Sequence, residues 1–117
     1  MKKIFVILFI AVLAIPVLAQ KATWRACIED CVNAAFDQIE AAQDEWADST
    51  MDCSQTYDAA VFDYYNSESN DPNKLDDLFD TWNTCVGDAT TTLNDAEDAA
   101  WDAEHSCNTD CGPEPEE

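Results

Sequence analysis

Six cysteines, Cys27, Cys31, Cys53, Cys85, Cys107 and Cys111, are the side chains here best suited to chemistry. Two pairs stand four apart, in CIEDC (27–31) and CNTDC (107–111). Three chemistries use such pairs. Structural zinc takes thiolates from two pairs that lie near each other in sequence, often with histidine. These pairs sit at opposite ends of the chain, which has a single histidine, His105. Thiol redox catalysis uses Cys-x-x-Cys in surroundings that favour thiolate, and 25 acidic residues disfavour it. The third chemistry is disulfide formation, the usual fate of an even cysteine count in a short exported chain. The cysteines therefore predict structural bridges, with no metal site and no cofactor.

Other groups offer no catalytic constellation. His105 is the only imidazole base, and its neighbour Ser106 projects to a different side of a helix, so no Ser–His relay is formed. Acidic groups such as Asp76 and Asp80, or Glu97, Asp98 and Asp102, recur so often that none stands out as a dyad. Asn66, Glu68, Asn70 and Asp77 suggest a calcium loop, but the loop glycine and terminal bidentate glutamate of an EF-hand are missing. The expectation is a protein that is not an enzyme and holds no metal.

The cysteine spacing says how the chain must be arranged. Successive gaps run 4, 22, 32, 22 and 4, a palindrome. Paired from the outside in, Cys27–Cys111, Cys31–Cys107 and Cys53–Cys85 have position numbers that each total 138. A constant total is what two antiparallel elements require, since a step forward on one matches a step back on the other. The centre, Ser69, falls within NSESNDPN (66–73), a turn-forming stretch.

Both arms read as helices. No glycine or proline occurs between Gln20 and Asn66. Apolar residues fall mostly in steps of three and four, at 24, 28, 31, 35, 39, 42, 46, 53, 57, 60 and 64 on the first arm and at 75, 78, 82, 85, 89, 93, 96, 100, 103, 107 and 111 on the second. The cysteines lie on this stripe. Asp71-Pro72 supplies an N-cap and first helical proline, and Cys111-Gly112-Pro113 a C-terminal stop. The expected fold class is all-α: a long antiparallel helical hairpin with helix 24–66, turn 66–73 and helix 72–111, stapled by three inter-helix disulfides. An alternative remains open at Asp48–Thr50 and at Gly87–Thr92, which lie opposite each other by the same total. A bend at both would fold the hairpin back into a small four-helix bundle.

Two Cys-x-x-x-Cys helices with nested bridges resemble the plant α-hairpinins and the twin Cys-x-x-x-Cys small mitochondrial chaperones. The resemblance covers Cys27, Cys31, Cys107 and Cys111 alone. It implies the same hairpin and terminal pairing, and carries no function.

The domain division follows. MKKIFVILFIAVLAIPVLA has a basic start, an apolar run over Ile4–Ile15 and a small-residue cleavage signal at 17–19, which makes 1–19 a bacterial-type secretory signal peptide. Residues 20–112 form the hairpin domain, and 113–117 an acidic tail. All 25 acidic residues fall after the signal, against Lys21, Arg25 and Lys74, hence a mature net charge of −22. Such a surface repels nucleic acid and anionic bilayers, so the expected partner is a protein, with basic proteins favoured. No membrane association is expected once the signal is removed. Four tryptophans distinguish the chain from disordered acidic segments.

Phe36, Phe62, Tyr65, Phe79 and Trp101 fall beside the seam, where a two-helix hairpin has no layer to cover them. Large uncovered apolar side chains mark association surfaces. The reading is a secreted or periplasmic, non-enzymatic, acidic structural or interaction module with these five residues as its interaction surface; a homodimer is one form of that association. The alternative is a small secreted effector or inhibitor acting through the hairpin tip. Intact-mass measurement of the exported protein should give a chain starting at Gln20; one retaining Met1–Ala19 would refute the signal assignment.

Overall fold

The computed structural model describes residues 2–68 and 70–116, with side chains from residue 18 onward. Among these residues there are two helices, α1 (Lys2–Asn66) and α2 (Pro72–Asp110), bridged as an antiparallel hairpin by three disulfides. The side chains of the apolar run 4–15 and Ser69 at the palindrome's centre lie outside the described residues.

Helix α1 begins earlier than the expected 24–66. Thr23 is the residue that would cap a helix starting at Trp24. Its hydroxyl instead donates to the Ala19 carbonyl one turn back, at 2.9 Å, so the backbone passes through without a boundary. Helix α2 ends at Asp110, one residue before the expected Cys111. Both caps contribute to that helix. Asp71 Oδ1 accepts the Asn73 N–H at 3.0 Å, satisfying a first-turn donor. Gly112 adopts φ +78°, and its N–H turns back to the Thr109 carbonyl at 3.0 Å, the left-handed stop that glycine permits without a Cβ clash.

The turn is tied down from the α1 side. Asn66 Nδ2 donates to the Phe62 carbonyl at 2.8 Å, and the Ser67 hydroxyl to the Tyr64 carbonyl at 2.8 Å. The Ser67 N–H also turns back, to the Asp63 and Tyr64 carbonyls at 2.9 and 3.2 Å, so two of the last carbonyls of the helix are satisfied.

Neither helix breaks at the opposed weak stretches, so the folded-back bundle is not adopted. The hydroxyls there have found partners within their own helix. Thr90, Thr91 and Thr92 donate to the carbonyls of Val86, Gly87 and Asp88, at 2.9, 3.1 and 3.0 Å, and Thr50 donates to Ala47 at 3.1 Å. A threonine bonded one turn back does not cap a new helix.

The chain comprises two compact units. The first joins Met1–Phe36 with Trp101–Glu117. It holds the Cys27–Cys111 and Cys31–Cys107 bridges, with Cα separations of 5.9 and 5.6 Å, and buries Cys31 and Ala35. Trp24 Nε1 donates to the Gly112 carbonyl at 3.0 Å, linking α1 to the residue that terminates α2. Lys21 pairs with Glu114 at 3.7 Å on the surface, where such pairs contribute little.

The second unit is Asp37–Ala100. It holds the Cys53–Cys85 bridge and buries Cys53, Tyr64 and Ala100. Trp46 Nε1 donates to Thr90 Oγ1 at 3.2 Å, and that hydroxyl donates in turn to the Val86 carbonyl. The five side chains buried among the described residues all lie on the apolar stripe of the sequence. Three other stripe residues, Trp46, Cys85 and Ala103, are exposed, because facing helices cover one strip of each other and leave its margins open.

Two stability predictions follow from this framework. Closing the 32-residue Cys53–Cys85 loop should stabilise the fold by roughly 3–4 kcal/mol. With Cys31–Cys107 in place, Cys27–Cys111 closes only the two short segments beyond it. Denaturant unfolding of paired Cys→Ala variants should therefore show a larger loss for the 53/85 pair than for the 27/111 pair; the reverse order would refute loop closure as the source. At Gly87 an added Cβ meets nothing within 4 Å, and φ is not positive. Gly87→Ala should raise stability by about 0.5–1 kcal/mol in the same assay.

Candidate functional site

Sulfur is the first place to look for chemistry. Helical spacing puts Cys27 and Cys31 one turn apart on α1, and α2 presents Cys107 to them, with Cys111 in the turn that follows. The Sγ atoms of Cys27, Cys31 and Cys111 consequently lie within 4.8 Å of one another, and Cys31 Sγ is 3.7 Å from Cys111 Sγ across the two bridges. All of these sulfurs are in disulfides. A disulfide sulfur is neither a nucleophilic thiolate nor the anionic ligand that zinc requires. As built, the cluster is a staple.

His105 and Ser106 are both exposed near the end of α2. The His105 carbonyl accepts the Thr109 hydroxyl at 3.0 Å, a bond within the helix that leaves the imidazole out of it. The acidic residues of the sequence pairs lie on solvent-facing positions, apart from the half-buried Glu97.

The aromatic residues form more definite groupings. Phe36, Phe62, Tyr65, Phe79 and Trp101 are 55, 69, 71, 50 and 44% exposed, well above the margin of a packed core. They do not form one patch by direct contact. In the first unit, Phe36 and Trp101 meet edge to face with centroids 5.8 Å apart, an arrangement that favours the quadrupoles of both rings. Helix α1 places Phe36 one residue past the buried Ala35, and Trp101 follows the buried Ala100, so each ring stands just off the seam.

In the second unit, Tyr65 packs edge-on against Tyr64 with centroids 5.3 Å apart. Phe79 lies against Trp82 at 5.6 Å, and Trp82 against Tyr57 at 6.0 Å. Phe79 and Trp82 share a face of α2 by their spacing of three, and Tyr57 comes from α1. Trp82 Nε1 points to Ser54 Oγ at 3.4 Å. These rings border a groove of about 270 Å³ lined by Ser54, Tyr57, Asp58, Phe79 and Trp82. A second groove of about 180 Å³ shares Tyr57 and Trp82 and reaches the Cys53–Cys85 bridge.

Of the five sequence-identified residues, Phe79 therefore belongs to a concave site. Ser54, Tyr57, Asp58 and Trp82 complete it and were not among the expected surface residues, since Tyr57 and Trp82 read as seam. The signal was nonetheless in the numbering. Tyr57 and Trp82, and likewise Asp58 and Phe79, total within one of the 138 that marks facing positions. Met51 is also exposed, outside both the stripe and the expected surface.

No protein-family model, curated protein or solved structure matches the chain. Three disulfides are the product of an oxidising environment, extracellular or periplasmic. Among the described residues, no helix is long and apolar enough to cross a membrane.

Proposed function

We propose that this chain is a secreted, non-enzymatic interaction module: a disulfide-stapled acidic hairpin that binds a basic protein partner through its uncovered aromatic side chains. The observation that carries this reading is the exposure of Phe36, Phe62, Tyr65, Phe79 and Trp101 on a chain of net charge −20. Exposed rings gain from being covered, and the surrounding carboxylates select what covers them. A basic partner is attracted over distances set by the Debye length. A second copy of the chain brings its own −20 and is repelled. Secretion is supported by the signal-like N-terminus together with the oxidised cysteines.

The bridges serve this function by removing the need for a large core. A hairpin locked by covalent bonds keeps aromatic side chains on its outside without unfolding. Its surface is thus freed for recognition.

The test uses a defined lysine-rich helical peptide and titration calorimetry at low and high salt. The expected result is binding that weakens as salt rises and falls at least tenfold in a Phe36→Ser/Phe62→Ser/Tyr65→Ser variant. Sedimentation in parallel should show a monomer at low salt. Binding indifferent to both salt and the three substitutions would overturn the reading. So would a dimer that strengthens with salt and buries those rings, which would make the surface a self-association face.

A further inference from the structure

The groove of the second unit has walls that specify a ligand more narrowly than charge alone. Trp82 is its middle ring, with Phe79 inclined to it by 36° at 5.6 Å and Tyr57 by 45° at 6.0 Å. All three rings line the one groove. Asp58 also lines that space, and no lysine or arginine does. Across Asp37–Ala100 the sequence carries seventeen carboxylates and one cationic residue, Lys74. The π faces and the carboxylate have the same sign, so both favour a positive charge.

We infer that this groove is an aromatic cage for an ammonium head, the side chain of a lysine or methylated lysine on the partner. This rests on the proposed basic partner and names the side chain that anchors it. Aromatic faces within about 6 Å of a cation attract it through the ring quadrupole, and the attraction grows as methyl groups make the head less hydrated. A guanidinium prefers to lie flat on one ring, whereas a groove with Tyr57 and Phe79 each inclined to Trp82 suits a compact rounded charge. The volume of about 270 Å³ is just below that of sites for drug-sized molecules, about 300–1,000 Å³, and fits one side chain. The cage is also held in shape. Cys53–Cys85 crosses between the helices one turn before Tyr57 and one turn after Trp82, and Ser54 accepts the indole N–H of Trp82. The rings therefore need little ordering when a ligand arrives.

The experiment follows the indole N–H resonance of Trp82 by NMR in the oxidised full hairpin, assigned by its loss in Trp82→Phe. N-acetyl-trimethyllysine amide is titrated against its neutral analogue, in which carbon replaces the ammonium nitrogen. The shape is constant and only the charge differs. The cationic probe should move the Trp82 signal and bind about 3- to 30-fold more tightly than the neutral one, the range expected for a cation on aromatic faces. Asp58→Asn should remove part of that preference while leaving the neutral analogue's affinity unchanged. Equal affinity for the two probes would overturn the inference, leaving a plain apolar groove. Shifts confined to Trp24, Trp46 or Trp101 would overturn it as well. In either case salt-sensitive peptide binding that is lost on substituting Phe36, Phe62 and Tyr65 would leave the broader functional reading standing, so the two failures are distinguishable.

Discussion

Covalent pairing of two helices that electrostatics drives apart is the constraint on which the rest of this molecule depends. From Glu29 onward both helices are rich in carboxylates, and the chain carries 25 acidic residues against five basic ones. Two helices also make a poor core. Among the described residues the buried apolar side chains are Cys31, Ala35, Cys53, Tyr64 and Ala100, most of them small. Burial on that scale is weak against the conformational entropy of ordering two long helices. The bridges change the balance from the other side. They restrict the unfolded chain, so less entropy is lost on folding.

Once the bridges set the register, tryptophan makes the cross-connections. Trp24 donates its indole N–H to Gly112, Trp46 to Thr90, and Trp82 to Ser54. Each reaches from one arm to the other or to the residue ending it. An indole suits this task, since it lays a broad apolar surface along the seam while its N–H reaches a polar partner at the margin. The bonds to Thr90 and Ser54 end on short hydroxyl side chains, which a sheath of carboxylates does not displace because carboxylates on exposed faces remain solvated.

The same economy of core leaves aromatic residues outside. In a larger domain a further element would cover Phe36, Phe62 and Phe79. Here the staples make that cover unnecessary, and a strongly acidic surface carrying rings results. Carboxylate repulsion discourages copies of the chain from covering one another's rings. On the proposed reading, cationic side chains, attracted by both carboxylates and ring faces, cover the surface that remains.

Much of the fold was legible in the sequence, because a palindromic cysteine spacing has a direct geometric meaning: antiparallel elements of equal step. The apolar stripe, the Asp71-Pro72 start and the Gly112 stop depend on local backbone chemistry, and these too could be read without coordinates. The exposure of Phe36, Phe62, Tyr65, Phe79 and Trp101 followed from counting layers, since a two-helix seam has no second shell. Three matters were left to the tertiary structure. Whether the chain bends at Thr50 and Thr90 depended on whether their hydroxyls capped new helices or bonded back within the old ones, and a threonine's sequence neighbours support both. The early start of α1 rested on the same choice at Thr23. The grouping of Tyr57, Asp58, Phe79 and Trp82 around one groove depended on ring tilts and on the depth to which each side chain sinks at the seam. Spacing determines which residues face each other; only packing in three dimensions decides whether facing rings close against one another or leave a space between them.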